Sequence, residues 1–185
     1  MRYLTCMRLI ILLFICLPGV LWANDWSALR APGAIAIMRH ALAPGVGDPP
    51  NHTLGDCSTQ RNLDALGRAQ ATQTGEALRA QSIEFDTVLT SEWCRTRETA
   101  TLLDFATPVA APALNSFFRR GPDLRDTQTR DLRELLQTTQ GRTMLVTHQV
   151  NITALTGSGA RSGEIIVFRL TPDGTEILGR ILIDP

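Results

Sequence analysis

Two short apolar runs restrict this chain more than any other feature. Residues 34–38 read AIAIM and residues 142–147 read RTMLVT, and each run gives way at once to polar residues. A strand that is apolar in both directions needs cover on both faces, which is the situation inside a parallel sheet. Phe85–Leu89 reads as a further strand. Helical stretches lie between: Leu63–Gln81, with Leu63, Leu66, Ala71 and Leu78 on one side; Glu92–Asp104, with Thr90-Ser91 as its start and Glu92 in its first turn; Thr127–Thr138; and Val150–Leu155. Thr107–Phe118 has a weaker pattern, with a short strand near Val109. Gly163–Leu170 and Thr175–Ile183 alternate as strands, and Thr171-Pro172-Asp173-Gly174 joins them as a turn. Strands alternating with helices predict an α/β layered domain with a mostly parallel sheet.

The N-terminal residues are set apart from this pattern. Arg2 and Arg8 precede an apolar run, Leu9–Leu17, which Pro18-Gly19 breaks before Leu21-Trp22-Ala23. These are the three parts of a secretory signal peptide, with cleavage expected after Ala23. The run is about half the roughly 20 residues needed to span a bilayer, which argues against a stable membrane anchor. The expected organisation is a signal peptide over residues 1–23 and one domain over 24–185, exported to a periplasmic or extracellular location.

All 18 basic residues are arginine, and they balance 18 acidic ones. Arg2 and Arg8 leave with the signal while every acidic residue stays, so the remainder carries a slight negative charge. With no basic excess, nucleic acid is not an expected partner. The absence of lysine excludes Schiff-base and P-loop chemistry. Removal of Cys6 and Cys16 leaves Cys57 and Cys94. In an exported protein such a pair suggests one disulfide, with two free thiols as the alternative.

In open parallel sheets ligands bind beyond the carboxyl ends of the strands. Arg39-His40 follows the first strand, Thr90-Ser91 the second (with Arg95 just beyond), and Thr147-His148 the third clear one. Two imidazoles and two guanidinium groups therefore fall at one sheet edge. Phosphoryl transfer through histidine fits them. A neutral imidazole is a competent nucleophile, and the planar fork of arginine matches the equatorial oxygens of a phosphoryl group in flight. In this reading His40 is the nucleophile, Arg39 and Arg95 bind the phosphate, and His148 donates to a phosphoryl oxygen or orients His40. A helix beginning near Glu92 would aim its N–H groups at the same oxygens.

These segments resemble the histidine phosphatase superfamily (phosphoglycerate-mutase-like). Met38-Arg39-His40 looks like its RHG signature. Leu63 through Gly67-Arg68-Ala69-Gln70-Ala71 is similar to its L-x-x-x-G-x-x-Q-A stretch. Ser91, Arg95 and Glu98-Thr99-Ala100 are similar to S-x-x-x-R-x-x-E/Q-T-A, and Thr147-His148 follows in order. The resemblance implies a three-layer α/β/α sandwich and a covalent phosphohistidine on His40. Arg39, Arg95 and His148 would form the phosphate pocket, with no metal and no cofactor.

Three positions depart from the pattern. Ala41 replaces a glycine, where its methyl group would crowd the loop. Leu114–Phe118 lacks the glutamate that mutase-like members carry there, and Gln149 replaces the aspartate of the acid phosphatase branch. The proton donor is left unassigned, with Asp48, Asp56 and Glu92 as substitutes to test. The long polar loop of residues 41–61 has the length of a functional loop. Arg119, Arg120 and Arg125 in the stretch FFRRGPDLR could meet an anionic substrate. Asn51-His52-Thr53 and Asn151-Ile152-Thr153 match the glycosylation pattern, which is short and frequent by chance. A zinc site from His40, His148, Cys57 and Cys94 lacks ligand spacing. The expectation is an exported phosphatase for a small phosphorylated substrate or a phosphorylated glycan. A phosphomutase and a non-catalytic phosphoryl-binding module of the same fold are the alternatives.

Overall fold

A computed structural model describes residues 24–184; the expected signal segment, residues 1–23, lies outside the described residues. The described chain forms a six-stranded sheet with helices on both faces. The strands are β1 (Ile35–Arg39), β2 (Thr87–Thr90), β3 (Val109–Ala110), β4 (Thr143–Thr147), β5 (Ile165–Thr171) and β6 (Gly174–Ile181), ordered β3-β2-β4-β1-β5-β6. Strands β3, β2, β4 and β1 are mutually parallel. The β5–β6 hairpin closes one side antiparallel, turning through Pro172-Asp173 as the turn sequence requires.

Burial on both faces explains why β1 and β4 are apolar throughout. Ala36, Met38, Met144 and Val146 point into one core, which they share with Leu78, Val88, Ala100 and Leu103. Ile37 and Leu145 point into the other, shared with Leu132, Leu136, Ile152 and Phe168. The first core is roofed by α1 (Ala65–Ala80) and α2 (Cys94–Leu102), the second by α3 (Pro122–Thr138) and α4 (Gln149–Thr156). The three-layer sandwich follows.

Three helix starts differ from expectation by two residues or more. α1 begins at Ala65 instead of Leu63, because the Asp64 carboxylate caps it by accepting from the Gly67 N–H (2.7 Å). α3 begins at Pro122 instead of Thr127: proline suits a first helical position, Asp123 favours the positive helix end, and the exposed first turns carry no apolar stripe to read. α2 begins at Cys94 instead of Glu92, because the Ser91 hydroxyl accepts from the Trp93 N–H (3.2 Å) within a turn that precedes the helix.

α1 approaches the segment after β1 so closely that only glycine fits at residue 67. A Cβ there would fall inside the van der Waals envelope of the Leu42 carbonyl oxygen. Gly67→Ala must push helix and loop apart, and should cost about 2–3 kcal/mol in denaturant unfolding. An unchanged midpoint would show that the interface yields freely.

Candidate active site

Parallel register brings the two histidines together. β1 pairs with β4 so that Arg39 lies opposite Thr147, and the next residue on each strand is His40 and His148. Their ring centroids are 5.6 Å apart, and both side chains are buried. β2 flanks β4 on its other side, so Ser91 emerges at the same edge and its Oγ hydrogen-bonds His148 Nε2 at 2.8 Å.

The turn after β1 is fixed from two helices. The Ala41 N–H donates to Thr99 Oγ1 (3.1 Å) on α2, and the Leu42 N–H donates to Gln70 Oε1 (3.0 Å) on α1. His40 Nδ1 lies 2.8 Å from the Ala41 carbonyl oxygen. A carbonyl only accepts, so Nδ1 carries the hydrogen and the lone pair resides on Nε2. Burial, followed by the charge of Arg95, lowers the His40 pKa from 6.5 to about 3. The ring is thus neutral at physiological pH. His148 is held well below its ordinary pKa as well, by burial first and then by His40 and Arg95.

Arg39, His40, Arg95 and His148 line one pocket of about 200 Å³, together with Asp48, Arg61, Ser116, Phe118 and the first turn of α4. The sequence reading missed Arg61. Its Nε donates to the Gly47 carbonyl oxygen (2.9 Å) and its Nη1 to that of Ala43, which sets the shape of the long loop. Burial and the charge of Arg95 lower its pKa to about 10. Its place just before Leu63, where the loop joins α1, was the available signal. Asp48 also comes from this loop. It forms a bidentate ion pair with Arg95, at 2.7 and 3.0 Å.

The family model for the histidine phosphatase superfamily (branch 1) matches residues 35–118, a span that runs from β1 through Arg95. Over that span of 84 of its 185 residues the chain is similar to the histidine phosphatase superfamily. Solved structures share its fold. The protein histidine phosphatase SixA, complexed with tungstate, has 15% identity and a TM-score of 0.57, over 80% of this chain and 96% of that one. The Rv3214 product of Mycobacterium tuberculosis has 16% identity and a TM-score of 0.59, over 80% and 96%. TTHB049 from Thermus thermophilus has 16% and 0.57, over 81% and 99%. No curated protein matches the sequence.

Set beside the superfamily pattern, the departures acquire physical meanings. The Ala41 methyl does not crowd the turn; it packs with Ala43, Leu63 and Ala71 in a small apolar cluster. Gln149 is a strut. Its Oε1 accepts from the Ala160 N–H (3.0 Å), and the Ala160 carbonyl oxygen in turn accepts from Arg39 Nη1 (3.1 Å). Among the substitutes for the acid, Asp56 is an exposed turn cap that accepts from the Ser58 N–H (3.0 Å). Glu92 accepts from Asn115 Nδ2 (2.6 Å), and neither carboxylate lines the pocket. Asp48 does line it. Burial alone would raise its pKa, but hydrogen bonds from Arg95, the Arg61 N–H and Trp93 outweigh that and hold it below the ordinary value.

The expected cradle of helix N–H groups near Glu92 is absent among the described residues. The N–H of Glu92 donates to Asn115 Oδ1 (2.9 Å), that of Trp93 to Ser91 Oγ, and that of Cys94 to Gln60 Oε1 (3.0 Å). Side chains already occupy these donors. Asn151 of the second glycosylation pattern is buried and donates to the Asn115 carbonyl oxygen (2.9 Å). Arg119 stacks over Phe118, its guanidinium carbon 5.2 Å from the ring centroid, at the rim. Arg125 pairs instead with Asp126 (2.8 Å), away from the pocket.

Cys57 and Cys94 form a disulfide, which leaves no thiol for a zinc site and ties the loop carrying Asp48 and Arg61 to the residue before Arg95. The sequence separation is 37, so Cys57→Ser should lower stability by about 4 kcal/mol through unfolded-chain entropy. It should also raise KM. Unchanged melting and KM would show that the bond holds nothing in place.

Proposed function

We propose that this protein is an exported, metal-independent phosphatase that hydrolyses phosphomonoesters through a phosphohistidine on His40. The observation that carries the reading is a buried neutral imidazole with its lone pair on Nε2, in a pocket lined by three guanidinium groups. Nε2 attacks phosphorus, the bond from phosphorus to the leaving oxygen breaks, and the leaving group departs. Water then attacks the phosphohistidine, the N–P bond breaks, and the electron pair returns to Nε2. Arg39, Arg61 and Arg95 balance the charge on the equatorial oxygens, as arginine clamps do in other phosphoryl transfers, and the neutral His148, held between Ser91 and Arg95, braces that clamp.

The pocket holds a phosphoryl group and a few further atoms, so most of the leaving group lies outside, against the exposed Val46 and Phe118. Tungstate, an oxyanion like phosphate, was bound to a histidine phosphatase of the same fold. The segment before Asn24 supports export, and so does the disulfide, since such bonds persist in oxidising compartments.

The test is covalent capture. Rapid quenching after mixing with radiolabelled phosphoramidate should yield a protein-bound phosphoryl group, stable to alkali and lost in acid. His40→Ala should stay unlabelled. A wild type that binds inorganic phosphate yet never acquires label would replace the enzyme with a binding module.

A further inference from the structure

An ionised carboxylate inside an anion pocket requires an explanation, and a census of the hydrogen bonds of Arg95 provides one. Nη1 donates to Asp48 Oδ1 (2.7 Å) and to the Arg61 carbonyl oxygen (3.1 Å). Nη2 donates to Asp48 Oδ2 (3.0 Å) and faces His148 Nδ1 at 3.4 Å. The four terminal hydrogens are thereby committed. The fifth donor of this guanidinium, Nε–H, is buried without a partner among the described residues. Arg39 Nε, from the same pocket, shares that condition. A buried orphan donor is costly unless a ligand supplies its acceptor.

We propose that Asp48 is a positioning residue for phosphoryl binding: it grips the outer end of the Arg95 guanidinium and reserves the Nε edge for a phosphoryl oxygen. This rests on the phosphate-pocket reading above. Two rival roles for Asp48 fail on geometry. It is not a removable plug, because its carboxylate also accepts from the Arg61 N–H (3.0 Å) and from Trp93 Nε1–H (3.1 Å). Swinging out would leave both donors unmatched, and the disulfide binds its loop to the start of α2. It is not a proton donor, because those four hydrogen bonds need the anion. One carboxylate against three guanidinium groups also leaves the pocket at +2 with both imidazoles neutral, which matches a phosphomonoester dianion.

Calorimetric binding of inorganic phosphate and of tungstate tests the role without requiring turnover, using wild type, Asp48→Asn, Asp48→Ala, Arg95→Ala and the Asp48→Ala/Arg95→Ala double variant. Asp48→Ala should weaken binding at least tenfold and the isosteric Asp48→Asn less. Adding Asp48→Ala to Arg95→Ala should change the Kd far less than Asp48→Ala does alone, because Asp48 acts chiefly through Arg95, its bond to the Arg61 N–H supplying the remainder. Tighter binding by Asp48→Ala would overturn the proposal in favour of a plug, and full additivity in the double variant would overturn it in favour of a general loop support. Should Asp48→Ala fail to fold, Asp48→Asn in the same cycle decides. A wild type that binds neither anion overturns the phosphate-pocket reading itself, a result distinct from either of these.

Discussion

Aryl phosphates should be hydrolysed about a thousandfold faster, as kcat/KM, than alkyl phosphates of similar size. General acid catalysis contributes roughly 10²–10⁴ to a reaction in which an alkoxide must be protonated as it leaves. Among the described residues the pocket holds no carboxylic acid able to supply that proton. Asp48 is its only carboxylate, and the bidentate pair with Arg95 keeps it ionised. Gln149 stands where one branch of the superfamily carries an aspartate, and its amide is engaged with Ala160 and Thr153. Ser116 and Phe118 line the wall where mutase-like members carry a glutamate. A nitrophenolate leaves without help, and its ring would meet Phe118 and Val46 at the rim. The measurement is log kcat/KM against leaving-group pKa over a series of substituted phenyl phosphates extended to alkyl esters. A steep negative slope is expected. A flat one would reveal a proton donor in the pocket and remove the leaving-group restriction.

The features that the sequence made legible are those fixed by local chemistry. β1 and β4 announce themselves by apolar runs, and a parallel register then leaves His40 and His148 little choice but to be neighbours. Arg95 is readable because its helix follows β2 directly. Gly67, Gln70 and Thr99 were visible as parts of motifs, but what they do is tertiary: they pin the two residues after His40. Arg61 was hidden for another reason, and Asp48 was visible only as a substitute proton donor, not as the partner of Arg95. They sit on a loop without periodicity, whose path is set by the Cys57–Cys94 bond, by Gln60 on the Cys94 N–H and by Asp48 on the Arg61 N–H. Long-range closure of this kind leaves no local pattern to read. The start of α3 was missed because its first turns are solvated and its boundary is set by Pro122.

Acid should unfold this protein earlier than an ordinary carboxylate titration would. The folded-state pKa of His40 is depressed from 6.5 to about 3, so the unfolded chain takes up the proton first. The stability this group contributes is therefore complete above pH 6.5 and is lost as pH falls from there towards 3. In that window His40 costs roughly 1 kcal/mol per pH unit, and about 4 kcal/mol by about pH 3.5. His148 is depressed in the same direction, chiefly by burial, so the two slopes add. The Asp48 carboxyl, also depressed, joins them only at the lower end, where an unfolded carboxyl begins to protonate. Against a total stability of about 5–15 kcal/mol, the loss at His40 alone is a large share. Denaturant unfolding should show stability falling steadily from about pH 6 to 4.5, and His40→Gln should make that fall shallower by roughly 1 kcal/mol per unit. The burial that keeps His40 uncharged for attack is the same burial that makes it an acid trigger for unfolding. Stability flat across that range would mean that the imidazoles already reach water or a counter-charge, and a ring so placed would be largely protonated in acid instead of holding its lone pair ready.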